Sequence, residues 1–388
     1  MTTRLYLDHN ATTPLDPAVR AAMEPYLGQG GNPSSIHAEG RRARAAVDDA
    51  RDRVAALLGA KPGEIVFTSG GTESCNLAIR GLALASAGGA RGHLVTAATE
   101  HHAVLDCCHA LEKEGWALTV LPVGPEGRID LAALEAALRP DTALATLMTA
   151  NNETGARQPV AAAAALCAAR GVRFHTDAVQ SAGKEPLPGT GGGVVALSLA
   201  AHKFYGPAGA GVLRLRAGEP LARLHHGGSQ ENTRRPGTEN VAAIVGLAEA
   251  LARAEVARET EAPRQAALVE RLWEGLRGLP GAARHGDPAD RICNTLSATF
   301  AGLDGEALLM ALDLEGLALS SGSACLVGSV EPSHVLLAMG VPEERARAAV
   351  RFSLGRSTTE ADVDEAVRRT ARVVARQAAL QRGGTAVT

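Results

Sequence analysis

Arg173-Phe174-His175-Thr176-Asp177 and Val194-Val195-Ala196-Leu197-Ser198-Leu199 are two short β-rich runs with a polar, glycine-containing segment between them. Each ends at a cluster of chemically able side chains: Asp177 and Gln180 after the first, His202 and Lys203 after the second. Working outward, runs of the same kind recur at 64–68, 93–97, 117–122, 142–149 and 211–215. Alanine- and leucine-rich helical patterns fill intervals between them at 72–87, 103–114, 131–138 and 159–169. Strands alternating with helices predict an α/β fold, a mainly parallel seven-stranded sheet covered by helices.

The flanks read differently. Residues 38–58 read as one long amphipathic helix, and 240–276 as one or two long helices that link domains. From residue 290 the pattern changes to strands near 295–300 and 317–320, a Gly/Ser-rich loop around Cys325, and helices beyond. This predicts a smaller α+β domain. The expected division is a large domain over 15–257 and a small domain made of 1–14 and 258–388. Residues 88–92, 189–193 and Arg382-Gly383-Gly384 read as loops or frayed ends.

Composition narrows the function. A chain of 388 residues has room for two or three domains. Hydrophobic residues at 46% and charged residues at 21% exclude a disordered chain or a coiled coil. A net charge of −3 gives no basic excess, so neither nucleic acid nor an anionic membrane is expected as the main partner. No apolar run reaches the roughly 18 residues of a membrane span, and the first residues lack the apolar core of a secretory signal. A cytoplasmic protein is expected, and the six cysteines, without CxxC spacing, are then thiols.

Four places carry chemistry. Thr68-Ser69-Gly70-Gly71-Thr72-Glu73-Ser74 follows a strand and opens a helix, so backbone N–H groups and the Thr72 hydroxyl can meet a phosphate; the alternative is a plain capped turn. Asp177 lies at the carboxyl edge of the sheet, where open α/β sheets bind ligands. Its partner is either a turn that it caps or a cation such as a protonated pyridine nitrogen, the arrangement of pyridoxal phosphate enzymes. Such an enzyme needs a lysine for a Schiff base, and only Lys61, Lys113, Lys184 and Lys203 exist. The first three read as solvated, whereas Lys203 stands in Ala200-Ala201-His202-Lys203-Phe204-Tyr205 at the same sheet edge as Asp177. Cys325, in Ser320-Ser321-Gly322-Ser323-Ala324-Cys325, sits in a small-residue loop ill suited to burying a thiol, which favours a reactive role. The loop ends at an expected helix start, Glu331-Pro332-Ser333-His334. Arg351, in the apolar run Val350-Arg351-Phe352, requires a carboxylate from protein or from substrate.

Together these segments resemble the cysteine desulfurases, fold type I pyridoxal phosphate enzymes of the class V aminotransferase group. The likeness also runs through Tyr6-Leu7-Asp8-His9-Asn10-Ala11-Thr12-Thr13-Pro14, Gly31-Asn32-Pro33-Ser34-Ser35-Ile36-His37, Glu100-His101-His102-Ala103-Val104, Asn151-Asn152-Glu153-Thr154-Gly155 and Arg235-Pro236-Gly237-Thr238-Glu239-Asn240. The Ser-Ser-Gly-Ser-Ala-Cys loop resembles the branch that serves general or nitrogenase-type iron–sulfur assembly. The resemblance implies that Lys203 holds the cofactor, Asp177 pairs with the pyridine nitrogen, His101 stacks on the ring and Gln180 bonds the phenolic oxygen. Thr72, the Gly71 backbone and His202 would hold the phosphate, joined by Thr238 from the other subunit of a homodimer. Asn152 and Arg351, with Asn10, would bind the substrate carboxylate.

The same resemblance implies that L-cysteine gives L-alanine and a persulfide on Cys325, with His101 helping its thiol to ionise. The persulfide passes to an iron–sulfur scaffold or a tRNA-thiolation acceptor. No resident metal is expected, although Cys325 would meet an iron–sulfur cluster in passing. One departure stands out: Ala200 replaces the family's usual phosphate-binding serine. A hydrogen bond to a charged group is worth roughly 1.5–3 kcal/mol, and Ser198, on the same face of a regular strand, is the candidate to compensate through water. The alternatives are a selenocysteine or cystine lyase, another class V aminotransferase, or a non-catalytic sulfur-transfer scaffold.

Overall fold

The computed structural model describes residues 4–28, 30–86, 91–189, 191–321 and 331–384. A two-residue strand, β1 (Leu5–Tyr6), precedes helices α1 (Pro17–Met23) and α2 (Ala38–Leu57). Asp16 caps α1 by accepting from the Ala18 N–H, and Pro17 takes the first helical position, where a missing N–H costs nothing. The expected alternation follows: β2 (Ile65–Thr68), α3 (Gly71–Ser86), β3 (His93–Ala97), α4 (His102–Lys113), β4 (Ala117–Leu121), α5 (Leu131–Ala137) and β5 (Thr142–Thr146). Then come α6 (Val160–Ala169), β6 (Arg173–Asp177), β7 (Val194–Ala200) and β8 (Gly211–Leu215).

These strands form one seven-stranded sheet in the order β2-β8-β7-β6-β5-β3-β4. The pairs from β7 through β6, β5 and β3 to β4 are parallel, and β8 runs antiparallel to both β7 and β2. β7 and β8 are buried at every residue, as strands covered on both faces must be, whereas the edge strand β4 is half-exposed. Because the central strands are parallel, the loops after β3, β5, β6 and β7 gather at one sheet edge.

The second part contains α7 (Val241–Leu276), β9 (Ala282–Arg284), β10 (Thr295–Phe300), α8 (Gly305–Leu314), β11 (Leu317–Ala318), α9 (His334–Ala338) and α10 (Glu343–Arg347), then β12 (Ala349–Ser353) and α11 (Glu360–Gly384). β10 pairs antiparallel with β9 and β12, and β1 pairs parallel with β11, so the start of the chain joins this part. The long stretch after Asn240 is one helix, α7. Its Leu247 and Leu251 sit in the core under the large sheet, and its Leu268 and Leu272 in a second core with Phe300, Phe352 and Val374. Truncating a fully buried leucine such as Leu272 costs about 2–5 kcal/mol. Arg382-Gly383-Gly384 is a correction: α11 runs through Gly384, because extending a formed helix adds a hydrogen bond for each residue it fixes.

Candidate active site

A cavity of about 370 Å³ opens at the carboxyl edge of the large sheet. Asp177, the last residue of β6, lines it, and one carboxylate oxygen accepts the Val179 N–H at 2.9 Å. Burial pushes its pKa up, against the pull of His101 and Lys203. A buried carboxylate of this kind calls for a cation. Lys203 ends the 3₁₀ turn Ala201–Lys203 after β7 and donates from Nζ to the carbonyl oxygens of Asn10 and Ala11, at 2.6 and 2.8 Å. Burial, with the charges of Lys184 and Arg351, lowers its pKa to about 7, so near neutrality much of the amine is free.

His101 caps α4, its Nδ1 accepting the Ala103 N–H at 3.1 Å. Desolvation lowers its pKa, and the neutral ring carries its hydrogen on Nε2. His202 lies 3.2 Å from the Thr12 hydroxyl through Nδ1, and burial pushes its pKa down to about 4. At the start of α3, a Cβ on Gly71 would stand 2.9 Å from Val179 Cγ2, so glycine is what lets that helix end approach β6 and β7. Thr72 and Ala200 line the cavity beside it.

Several expectations need correction. Ser198 does not serve the cavity: it is fully buried, with its hydroxyl 2.9 Å from His175 Nε2, because an enclosed imidazole needs both nitrogens paired. Lys184 is not solvated. Its Nζ donates to the backbone and side-chain oxygens of Gln180, at 3.0 and 3.2 Å, and burial lowers its pKa to about 8. Lys61 and Lys113 are exposed. Asn10 lines the cavity, yet its amide hydrogens go to the Asn152 carbonyl and the Thr295 hydroxyl. Gln180 Nε2 in turn donates to the Asn10 carbonyl at 3.1 Å.

Asn152 and Arg351 also line the cavity. The carboxylate that Arg351 requires is Asp8, at 2.7 Å, and a second guanidinium nitrogen donates to the Asn152 carbonyl at 3.1 Å. Thr238 is exposed and lies outside this cavity; it lines a neighbouring one with Thr72, Glu73 and Arg235. Cys325 lies outside the described residues. Sequence reasoning missed the roles of Asp8, Glu153 and His334. All three sit in motifs already quoted, but nothing local says what each one touches.

The model of the family described as aminotransferase class-V matches residues 5–366. This chain belongs to that family. Among curated relatives of this class V protein, cysteine desulfurase IscS of Dictyoglomus turgidum is 46% identical over 366 residues, 94% of this chain and 93% of that one. Human cysteine desulfurase is 46% identical over 369 residues, 94% of this chain and 80% of the relative. Among solved structures, a NifS-like protein superposes with a TM-score of 0.90 at 35% identity, covering 96% of this chain and all of that one. A structure titled SspA in complex with cysteine reaches 0.80 at 36% identity, covering 91% and 99%.

The cofactor of this class V fold is pyridoxal phosphate, and the residues present fit it. The buried Asp177 carboxylate wants a cationic ring nitrogen, the Lys203 amine is free to meet an aldehyde, and the glycine-opened end of α3 offers N–H groups to a phosphate. No described helix is long and apolar enough to cross a membrane.

Proposed function

We propose that this class V protein is a cysteine desulfurase, which takes sulfur from L-cysteine, releases L-alanine and carries the sulfur as a persulfide on Cys325. The observation that supports it most is the meeting of Lys203, Asp177, His101 and Arg351 around one cavity. Lys203 would hold the cofactor through its amine and Asp177 would pair with the pyridine nitrogen. His101 would cover the ring, Gln180 would face the phenolic oxygen, and Thr72, the Gly71 backbone and His202 would hold the phosphate. Ala200 adds no donor, so the α3 N-terminus carries more of that anion. Bound there, pyridoxal phosphate supplies an electron sink for negative charge at the substrate α-carbon.

The chain's own residues do the rest. Arg351 receives the substrate carboxylate, its guanidinium held by Asp8 and the Asn152 carbonyl, with Asn152 lining the same cavity. The Lys203 amine, its pKa near 7, takes the α-proton at Nζ and can return it. The Cys325 thiolate attacks the substrate sulfur. Thr238, which is exposed, would reach the phosphate of a second subunit in a homodimer. The acceptor is an iron–sulfur scaffold or a tRNA-thiolation protein, and the setting is the cytoplasm.

The test is to incubate the cofactor-loaded protein with L-cysteine and follow alanine and protein persulfide together. Both form in equal amounts over the first turnover, and Cys325→Ala lowers both by about a hundredfold or more. Alanine formation that survives Cys325→Ala overturns the proposal and favours a lyase.

A further inference from the structure

Lys184 is an amine that the reaction above does not use, yet its charged end is enclosed against Gln180, a residue of the cavity. Its place follows from the path of the chain after β6. The Ser181 carbonyl accepts the N–H groups of both Lys184 and Glu185 at 2.9 Å, a tight turn that brings the Lys184 side chain back to Gln180, four residues earlier. Gly183 lets that turn dock on α7: its φ is +69°, and a Cβ there would stand 2.7 Å from Ala254 Cβ. The Gly183 N–H donates to Glu255 of the same helix at 3.1 Å. The lysine therefore has a fixed base.

Its contacts fix an amide. An ammonium has three donors and no acceptor, so the side-chain atom of Gln180 that it meets, at 3.2 Å, is Oε1. The other end of the amide faces the Asn10 carbonyl, which only accepts, so the atom there is Nε2, at 3.1 Å. Turned over, the amide would set N–H against ammonium and oxygen against carbonyl oxygen. Lys184 also donates to the Gln180 backbone carbonyl at 3.0 Å, so one cation holds main chain and side chain together. One Nε2 hydrogen goes to Asn10, and the second is left for a group in the cavity.

The titratable and charged groups that face Lys184 are Lys203, Arg351, His9, Cys293 and Glu185. His9 is neutral, since burial lowers its pKa to about 4, and the Glu185 carboxylate is engaged by Arg157. Lys184 itself, with a pKa of about 8, keeps its charge at neutral pH and delivers it to Gln180.

We propose that Lys184 is a positioning residue for the cofactor: it pins and polarises the Gln180 amide so that Nε2 donates to the phenolic oxygen. The assignment rests on the cofactor placement given above. A cation on Oε1 draws electron density from the amide nitrogen and strengthens the hydrogen bond that Nε2 donates.

Lys184→Met tests this, because it keeps an unbranched apolar stem and deletes the cation. The readout is the pH midpoint of the visible absorbance of the cofactor-loaded protein, which needs neither substrate nor turnover. A strong donor beside the phenolic oxygen disfavours a further proton on the bound chromophore, so weakening it should raise the midpoint by about half a pH unit or more. Gln180→Ala should raise it at least as far. Lys184→Met added to Gln180→Ala should contribute less than about a third of its single shift, because the route is gone. An unmoved midpoint in Lys184→Met would overturn the assignment. So would an equal shift with and without Gln180, which would mean that the charge acts directly through space. A midpoint that Gln180→Ala leaves in place would sink the cofactor placement and this assignment with it. Should Lys184→Met fail to fold, Lys184→Gln replaces it with the same outcomes, since an amide offers acceptor as well as donor and fixes no orientation. Cys325→Ala stays a separate test: alanine formation surviving it sinks the desulfurase reading and leaves the absorbance result standing.

Discussion

The cavity has two walls, and they are held by different kinds of contact. On the sheet side, Asp177 and His101 are each fixed by the N–H two residues further on, at Val179 and Ala103. On the opposite side, Arg351 is fixed by Asp8, His334 by Glu100 and Ser333 by Glu153, partners 343, 234 and 180 positions away. The first wall exists once the sheet forms. The second exists only when the N-terminal segment, the loop after β5 and β12 have docked together. Lys203 joins the two, since it stands on the sheet side but rests its amine on Asn10 and Ala11.

That junction is where the largest effect is expected. Lys203→Ala should lower α-hydrogen exchange of L-alanine by about a thousandfold or more, since it removes both the anchor and the proton carrier. Lys184 is the control, an amine also buried, with its pKa lowered to about 8 and spent on Gln180. Borohydride reduction of the loaded protein, followed by peptide mapping, should mark residue 203 and leave 184 untouched. A mark on Lys184 would dissolve the distinction between the walls.

The two lysines also show what the sequence could convey. Lys203 was legible because an apolar strand leads straight to it. Lys184 misled, because its run is locally polar and its burial comes from tertiary packing that local polarity does not report. The strand and helix alternation, Asp177 and the Gly71-Thr72 turn were readable for the same local reason as Lys203. Arg351 shows the converse: the guanidinium demanded a carboxylate, but a partner at Asp8 is invisible until β1 and β12 lie together. His334 was visible only as a helix start, since the carbonyl that fixes its tautomer is brought in by the fold.

The long-range wall can be probed at that pair. Arg351→Lys removes a planar, two-nitrogen clamp and should raise KM for L-cysteine by about 10- to 30-fold with kcat little changed, the signature of lost ground-state binding. Asp8→Asn keeps the shape but loses the charge that holds the guanidinium, and KM should rise by about threefold. Steady-state kinetics on both variants decide the order. An Asp8 effect exceeding that of Arg351 would mean that the carboxylate, and not the guanidinium, meets the substrate.

The short-range wall is tested by pH. His175, two residues before Asp177 on β6, has both ring nitrogens paired, with Thr146 at 2.8 Å and Ser198 at 2.9 Å, and burial lowers its pKa from 6.5 to about 3. Between those two values the unfolded chain binds a proton that the folded chain refuses, so stability rises with pH across the window and falls on acidification. At about pH 5 this one site should cost about 2 kcal/mol relative to neutral pH. Urea midpoints at about pH 7.5 and pH 5 measure it, and His9, His202 and His285, with pKa values lowered to about 4, add to the same slope. His175→Gln isolates the term: the variant is less stable at neutral pH for want of a bond, but its midpoint falls less steeply with acid. An unchanged slope would mean that His175 does not stay neutral between β5 and β7, and the sheet-side wall would lose its claim to be the rigid one.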